Sequence, residues 1–354
     1  MRLTGTDRPI EGDPVRSLPS DPRFETDAGE PALRWGILAP GGIAAAFVRS
    51  LRHTVQRPVA VGSRSLDRAQ RFAAEHGIES AYGSYRELVE DPEVDVVYVA
   101  APHSEHRELG LLAIAAGKHV LIEKPMATTA EDVRLLAAAA AEAGVFLMEA
   151  MWSRYLPQAA VLRAVLREGL LGDPVTVVAD HGQLIPFDPN GRLYRPELAG
   201  GAVLDLGVYA VQFDSMVFGA PRALTAVGTG TGTGVDATAT LVLDHGEGRQ
   251  STLTTSLAAA SPSRAFIAGS QARIETGELF YTPTTLTLSG PELDEPVRWV
   301  DDSGRDGHLG LSWQATALAS FVASGLRESP LHTLAETAEI AGTMAEAIRQ
   351  IAPA

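Results

Sequence analysis

Trp35-Gly36-Ile37-Leu38-Ala39-Pro40-Gly41-Gly42-Ile43-Ala44 decides the fold of this chain. The apolar run Arg34–Leu38 gives way to a turn of small residues, and a helical pattern follows over Ile43–Leu51. Strand, glycine-bearing turn and helix in that order make the first unit of a nucleotide-binding βαβ fold. Against G-x-G-x-x-G/A, Ala39 replaces the first glycine, Gly41 matches the second and Ala44 the third. Gly41 lets the backbone approach a pyrophosphate, and a helix opening near Gly42 offers it unpaired N–H groups. Pro40, Gly41, Gly42 and Ile43 are therefore expected at a dinucleotide.

Working outward, short apolar runs alternate with helical periodicity as far as Ala150. Strands are expected at Pro58–Gly62, Val94–Ala100, His119–Ile122 and Val145–Leu147, and helices at Ser65–Glu75, Ser84–Glu90, Glu105–Ala116 and Ala130–Ala143. Ser84 with Glu87 reads as a capping box, and Gly117 and Gly144 follow last helical turns. This alternation means a doubly wound parallel sheet. After a helix at Leu156–Glu168 and the turn Gly172-Asp173-Pro174 the character changes. β-branched and polar residues alternate in Val175–Ala179, Ala237–Leu243 and Gln250–Ser256, which points to a mostly antiparallel, open sheet. Gly228–Gly234 reads as a strand edge or turn; helices are expected at Ala202–Phe218, Ser312–Ser324 and Leu334–Ile351. The expected fold class is thus α/β: a flexible extension (residues 1–32), a Rossmann domain (33–152) and an α+β substrate-binding and dimerisation domain (153–354).

Composition sets the outer limits. The 354 residues carry a formal net charge of −15, which argues against nucleic acid as a partner. There are no cysteines, which excludes disulfides, thiol catalysis and thiolate metal sites and fits a reducing cytoplasm. The apolar stretch Val133–Trp152 is broken by Arg134, Glu142 and Glu149, so no membrane span is expected there. The first thirty residues lack the apolar core of a secretory signal.

The second strand ends Val61-Gly62-Ser63-Arg64-Ser65. A site for NAD usually places a carboxylate here, whereas arginine suits a 2′-phosphate. Ser63 and Arg64, with Arg68 one turn into the next helix, therefore favour NADP. A later strand runs into Ala100-Ala101-Pro102-His103-Ser104-Glu105-His106. Its two histidines lack further ligands at convincing spacing, so no metal is expected. Ala101, Pro102, His103 and His106 read as a cofactor-binding loop on the nicotinamide side, with His106 also capping the next helix.

Only two of the 29 basic residues are lysines, Lys118 and Lys124. Lys124 lies in Glu123-Lys124-Pro125, at the carboxyl end of a buried strand, where open α/β sheets place their chemistry. Ammonium shifts its pKa on burial and guanidinium does not lose its proton, so a lysine kept there suggests chemistry. In Gly200-Gly201-Ala202-Val203-Leu204-Asp205-Leu206-Gly207-Val208-Tyr209, a helix puts Asp205 and Tyr209 on one face. Tyr209 is expected as acid/base at a substrate oxygen, its pKa lowered by Lys124, with Asp205 orienting one of them or the substrate.

These segments resemble the Gfo/Idh/MocA oxidoreductases over Arg34 to Ile351. Glu123-Lys124-Pro125 is similar to that family's signature tripeptide and Gly-Gly-x-x-x-Asp-x-Gly-x-Tyr to its second catalytic motif. Ala81-Tyr82-Gly83-Ser84-Tyr85, Phe146–Tyr155 with Pro157, and Leu204–Tyr209 are similar to the dimeric dihydrodiol dehydrogenase and NADP-dependent D-xylose 1-dehydrogenase subgroup. The resemblance implies hydride transfer between a carbinol carbon and nicotinamide, with Lys124 and Tyr209 in proton transfer. It implies Glu123, Trp152 and Arg154 at the cofactor, with Trp152 also at the substrate, and a homodimer or dimer of dimers through the second domain's sheet.

Substrate choice is expected in His181–Leu198, which holds Phe187, Asp188, Asn190, Arg192, Tyr194 and Arg195; Phe187 and Arg192 are the candidate contacts. The expected substrate is a small molecule, a sugar or cyclic polyol. A keto-sugar reductase, nucleotide-linked substrates included, a nucleotide-binding regulator and a glycosidase that retains its nicotinamide are the alternatives.

Overall fold

A computed structural model describes residues 17–19 and 29–351. Most of the expected N-terminal extension lies outside the described residues. Within them, Leu18 is buried in the core, and Pro31 and Leu33 are hydrogen-bonded to the Gln56 side chain.

The first domain runs β1 (Arg34–Leu38), α1 (Gly42–Ser50), β2 (Arg57–Gly62), α2 (Leu66–His76), β3 (Ser80–Tyr82), α3 (Tyr85–Val89), β4 (Val96–Val99), α4 (His106–Ala115), β5 (His119–Glu123), α5 (Ala130–Ala143) and β6 (Leu147–Ala150). All pairings are parallel, in the order β3-β2-β1-β4-β5-β6. The strand order reverses between β1 and β4, so a crevice opens at their carboxyl ends. β4 is buried along its whole length, as a strand covered on both faces must be. Ser84 and Glu87 form the expected capping box at α3, and Gly144 takes a left-handed conformation after α5. Strand β6 begins two residues later than the alternation suggests. The Val145 amide still bonds the Ala140 carbonyl and completes the helix end, while the Phe146 amide bonds His119 Nδ1.

The second domain runs α6 (Pro157–Arg167), β7 (Pro174–Gly182), α7 (Val208–Phe218), β8 (Ala223–Gly230), β9 (Asp236–Gly246), β10 (Arg249–Ser256), β11 (Ala265–Gly269), β12 (Arg273–Thr276), β13 (Thr285–Ser289), β14 (Val297–Val300), α8 (Ser312–Ala323) and α9 (Leu334–Ile351). The sheet order is β14-β13-β12-β11-β7-β10-β9-β8, antiparallel except for β7 with β10. Gly228–Gly234 is the end of β8 and the turn into β9. The expected single helix at Ala202–Phe218 is divided: Val203–Gly207 winds as a π-turn before α7 begins. The Asp236 carboxylate accepts the Val203 amide at 2.7 Å and holds that turn. Gly201, at φ +112°, is required there, because a Cβ would lie 2.3 Å from the Asp236 carboxylate.

Helix α9 packs on α5, α7 and β8 and ties the two domains together. One hydrophobic cluster runs from Trp35, Phe47 and Tyr98 through Tyr155 to Leu241, Ile267 and Leu288, so the cleft between the sheets has a continuous floor. Pro196–Phe218 is apolar and long enough to cross a membrane, but its most apolar window is 78% buried within the protein.

Candidate active site

At the crevice, the β1–α1 turn, the ends of β2 and β4, the start of the loop after β5 and the face of the second sheet enclose an open cleft of about 860 Å³. Ala39 stands at φ +65°, the left-handed conformation that glycine favours in this turn. A Cβ on Gly42 would meet nothing within 4 Å, and one on Gly41 only the Ala39 carbonyl at 3.9 Å. No side chain caps α1 and no acid occupies its first turn, so its N-terminal amides and dipole face open ground. That ground fits a pyrophosphate.

Arg68 Nε and Nη2 both donate to the Pro40 carbonyl, at 3.1 and 2.8 Å, which fixes the turn. Its guanidinium therefore has a backbone partner. Arg64 is 75% exposed at the cleft mouth, 3.4 Å from Glu105. Ser63 is buried, with Oγ accepting the Ser65 amide. Tyr85, which sequence reasoning did not single out as a contact, lines the same end.

At the other end, strand β5 delivers Glu123 and Lys124. Tyr98 donates its hydroxyl hydrogen to buried Glu123, and burial raises the Glu123 pKa. Lys124 Nζ donates to the Asp205 carbonyl oxygen at 2.7 Å and lies 3.4 Å from its carboxylate. It also sits over the Tyr209 ring, 5.0 Å from the centroid. Burial pulls the Lys124 pKa down, but Asp205, Tyr209 and Glu123 outweigh it and raise it, so the ammonium stays charged. Asp205 Oδ1 also meets Arg192 at 3.0 Å and His103 at 3.5 Å. Burial opposes its charge, yet Lys124, His103 and Arg192 hold its pKa well below the carboxylate range.

Tyr209 Oη accepts a hydrogen bond from Trp152 Nε1 at 2.9 Å. Burial pushes its pKa up to about 12 despite Lys124. The lysine acts in the expected direction, but desolvation is the larger effect. The Asp205–Tyr209 spacing runs through the π-turn rather than a regular helix, a distortion that recurs at functional sites.

Three residues expected at the site are placed elsewhere. His106 is fully buried, its ring nitrogens 2.8 Å from the Pro125 and Ala101 carbonyls. It joins two site loops from behind. Arg154 is buried against Gln212, Leu331 and Glu336, with Nη2 2.5 Å from the Glu336 carboxylate. Phe187 is 58% exposed and packs edge-on against Tyr194, beyond the cleft residues. Conversely, His181, Gln183, Tyr281 and His308 line the cleft. His181 and Gln183 lie in the segment His181–Leu198 expected to choose the substrate; no local pattern marked Tyr281. Among the described residues, no group of three or more His, Asp or Glu side chains is arranged to hold a metal ion.

A nucleotide-binding parallel sheet whose carboxyl edge meets a buried Lys–Asp–Tyr cluster defines an oxidoreductase acting on CH–OH groups. Residues 33–151 match the oxidoreductase family with an NAD-binding Rossmann fold, and residues 160–275 the GFO/IDH/MocA C-terminal domain. The chain belongs to the Gfo/Idh/MocA oxidoreductase family. It is 40% identical over 327 residues to the trans-1,2-dihydrobenzene-1,2-diol dehydrogenase of Mus musculus, covering 90% of this chain and 97% of that one. The enzyme of the same name from Xenopus laevis is 38% identical over 332 residues, at 90% and 98% coverage. Among solved structures, a 3-ketoreductase from Actinomadura kijaniata in complex with NADP and TDP-benzene superposes with a TM-score of 0.78 at 28% identity, over 90% of this chain and 97% of that one.

Proposed function

We propose that the chain is an NADP-dependent dehydrogenase or reductase acting on a trans-dihydrodiol or an aldopyranose such as D-xylose. The observation that carries this reading is the direction of the Trp152–Tyr209 hydrogen bond. Indole only donates, so the tyrosine accepts there and its own hydrogen remains for a substrate oxygen. With its pKa near 12, Tyr209 holds that hydrogen at neutral pH. Bound nicotinamide supplies or accepts the hydride at the carbinol carbon. In reduction, Tyr209 gives its proton to the carbonyl oxygen. The phenolate left behind has the Lys124 ammonium over its ring and the Trp152 N–H at its oxygen. In oxidation the phenolate removes the hydroxyl proton. Asp205 keeps Lys124 charged and in place throughout.

The N-terminal amides of α1 would hold the pyrophosphate, Ser63 and Arg64 the 2′-phosphate, and Ala101, Pro102, His103 and Trp152 the nicotinamide side. Arg68 would act by fixing Pro40. The relatives named dihydrodiol dehydrogenases support the substrate class. The likeness to a 3-ketoreductase favours, as a second reading, reduction of a keto-sugar on a nucleotide carrier. Val175, Val227, Val242 and Val300 leave apolar surface on the open sheet, which suits a homodimer or dimer of dimers. Absent cysteines suit a cytoplasmic setting.

The test is nicotinamide absorbance with NADP or NAD and a panel of trans-dihydrodiols, aldoses and inositols. NADP turnover with a diol or aldopyranose is expected. NADPH binding without any turnover would overturn the reading.

A further inference from the structure

Behind the cleft, charged side chains outside that mechanism form a continuous hydrogen-bonded chain. Glu149, on β6, accepts the Met126 amide with Oε1 at 2.7 Å and meets His332 Nε2 with Oε2, also at 2.7 Å. The other ring nitrogen of His332 faces the Glu336 carboxylate at 3.3 Å. A carboxylate only accepts, so with one at each nitrogen the ring donates twice and is an imidazolium. Arg154 pairs with the second Glu336 oxygen, and it donates to the Gln212 carbonyl at 2.7 Å and to the Gln212 side-chain oxygen at 2.5 Å. Gln212 Nε2 in turn donates to the Tyr209 carbonyl at 3.0 Å. Charges alternate along this chain, and Glu149, His332 and Arg154 are all buried.

The two ends of the chain are the segments that carry the reacting pair. Met126 lies two residues after Lys124 in the first domain, and Gln212 three residues after Tyr209 on α7 of the second. Lys124 and Tyr209 come from different domains, so the spacing of ammonium and phenol depends on how those domains are joined. His332, just before α9, and Glu336, in its first turn, form the middle of the tie. Stability alone is a weak reason for such a chain, because buried ion pairs are often exchanged for apolar residues without loss. Fixed geometry at a reacting centre is a stronger reason, since a misplacement of about 1 Å costs up to about a hundredfold in rate.

We propose that Glu149, His332, Glu336, Arg154 and Gln212 are positioning residues, which hold the Lys124 ammonium at its distance from Tyr209 from behind the cleft. This rests on the reading of Lys124 and Tyr209 as the proton-transfer pair. The titratable groups facing Tyr209 are Lys124, Glu123, Asp205, Tyr98, His181 and Tyr281, and among them only the Lys124 ammonium favours the phenolate. Withdrawing it by about 1 Å, at an effective dielectric constant of about 20, moves the alkaline rise of the oxidation rate up by roughly 0.4 pH unit.

Gln212→Met cuts the tie at the Tyr209 end while Arg154 keeps Glu336, and Glu149→Leu cuts it at the Met126 end. Glu149→Gln keeps an acceptor for the Met126 amide and a donor for a neutral His332, so it is the conservative variant. Each is measured for nicotinamide reduction against pH, NADPH affinity by calorimetry and melting temperature. Gln212→Met and Glu149→Leu should lose about tenfold or more in kcat and shift the pH profile upward, with NADPH affinity near that of the wild type. Glu149→Gln should keep most of the rate and the wild-type profile. Should Glu149→Leu fail to fold, Gln212→Met decides alone. Variants that melt earlier yet keep kcat and pH profile would overturn the proposal and leave the chain as a structural tie. If the wild type turns nothing over, the proposed function fails instead, and the tie is read from Lys124 itself. With two lysines in the chain, NMR of isotope-labelled lysine separates Lys124, the signal lost in Lys124→Met, from Lys118. The Lys124 signal should move in Gln212→Met and that of Lys118 should not; an unmoved Lys124 signal would overturn the proposal.

Discussion

Replacing Trp152 by phenylalanine removes the N–H that holds Tyr209 Oη and keeps an aromatic ring in the cleft floor. A hydrogen bond to a neutral phenol contributes about 1 kcal/mol net, and one to an anionic oxygen about 1.5–3 kcal/mol. Only the difference between the two acts on the chemical step, because binding that is equal in ground and transition states does not change kcat. That difference, about 0.5–2 kcal/mol, corresponds to roughly two- to thirtyfold in rate. The sign with pH follows from the same contact. The Trp152 hydrogen bond favours the phenolate, so its loss raises a Tyr209 pKa that already stands at about 12. Oxidation needs the phenolate. In the wild type its rate should climb with pH across the neutral and mildly alkaline range, and in Trp152→Phe it should climb along a line displaced to higher pH. The assay is initial rate of nicotinamide reduction against pH at saturating substrate, with thermal unfolding recorded separately to register the lost packing of a buried indole. An unchanged kcat and pH profile with only KM altered would refute the reasoning and leave Trp152 as a wall of the site.

Arg64→Ala should weaken NADP much more than NAD in calorimetric titrations; equal losses would remove Arg64 from the 2′-phosphate. Arg154→Ala breaks a buried pair with Glu336 and should cost about 3–5 kcal/mol in urea unfolding; a loss under about 1 kcal/mol would show that the pair contributes little. His332 is opposed by burial, but hydrogen bonds to Glu149 and Glu336 raise its pKa. Its contribution to stability is therefore complete below the ordinary histidine pKa of about 6.5 and is lost as pH rises through the folded value. The melting temperature of the wild type should fall on that alkaline side more than that of His332→Gln, and parallel curves would contradict the assignment.

The nucleotide-binding half was legible because its signals are local: buried strand runs, capping residues and the Ala39–Gly42 turn all lie within a few residues of what they specify. Lys124, Asp205 and Tyr209 were legible for a different reason, since a rare lysine after a buried strand and a spaced acid and tyrosine carry chemistry in their identity. Arg154 and His106 look like site residues by the same logic, yet each finds its partners behind the cleft, in carbonyls and carboxylates distant in sequence. Tyr281 was hidden because it sits in a short irregular stretch between β12 and β13, and only the tertiary fold brings it beside Tyr209. The π-turn was equally hidden. Its cause is the Asp236 carboxylate, supplied by a strand more than thirty positions away.

The most direct measurement sets Lys124→Met beside the wild type, following nicotinamide absorbance with NADP and a trans-dihydrodiol or aldopyranose and binding of NADPH by calorimetry. Lys124 contacts Asp205 and the Tyr209 ring. Turnover should therefore vanish in the variant while NADPH affinity stays close to that of the wild type. Retained turnover in Lys124→Met would contradict a proton-transfer centre built on Lys124, Asp205 and Tyr209.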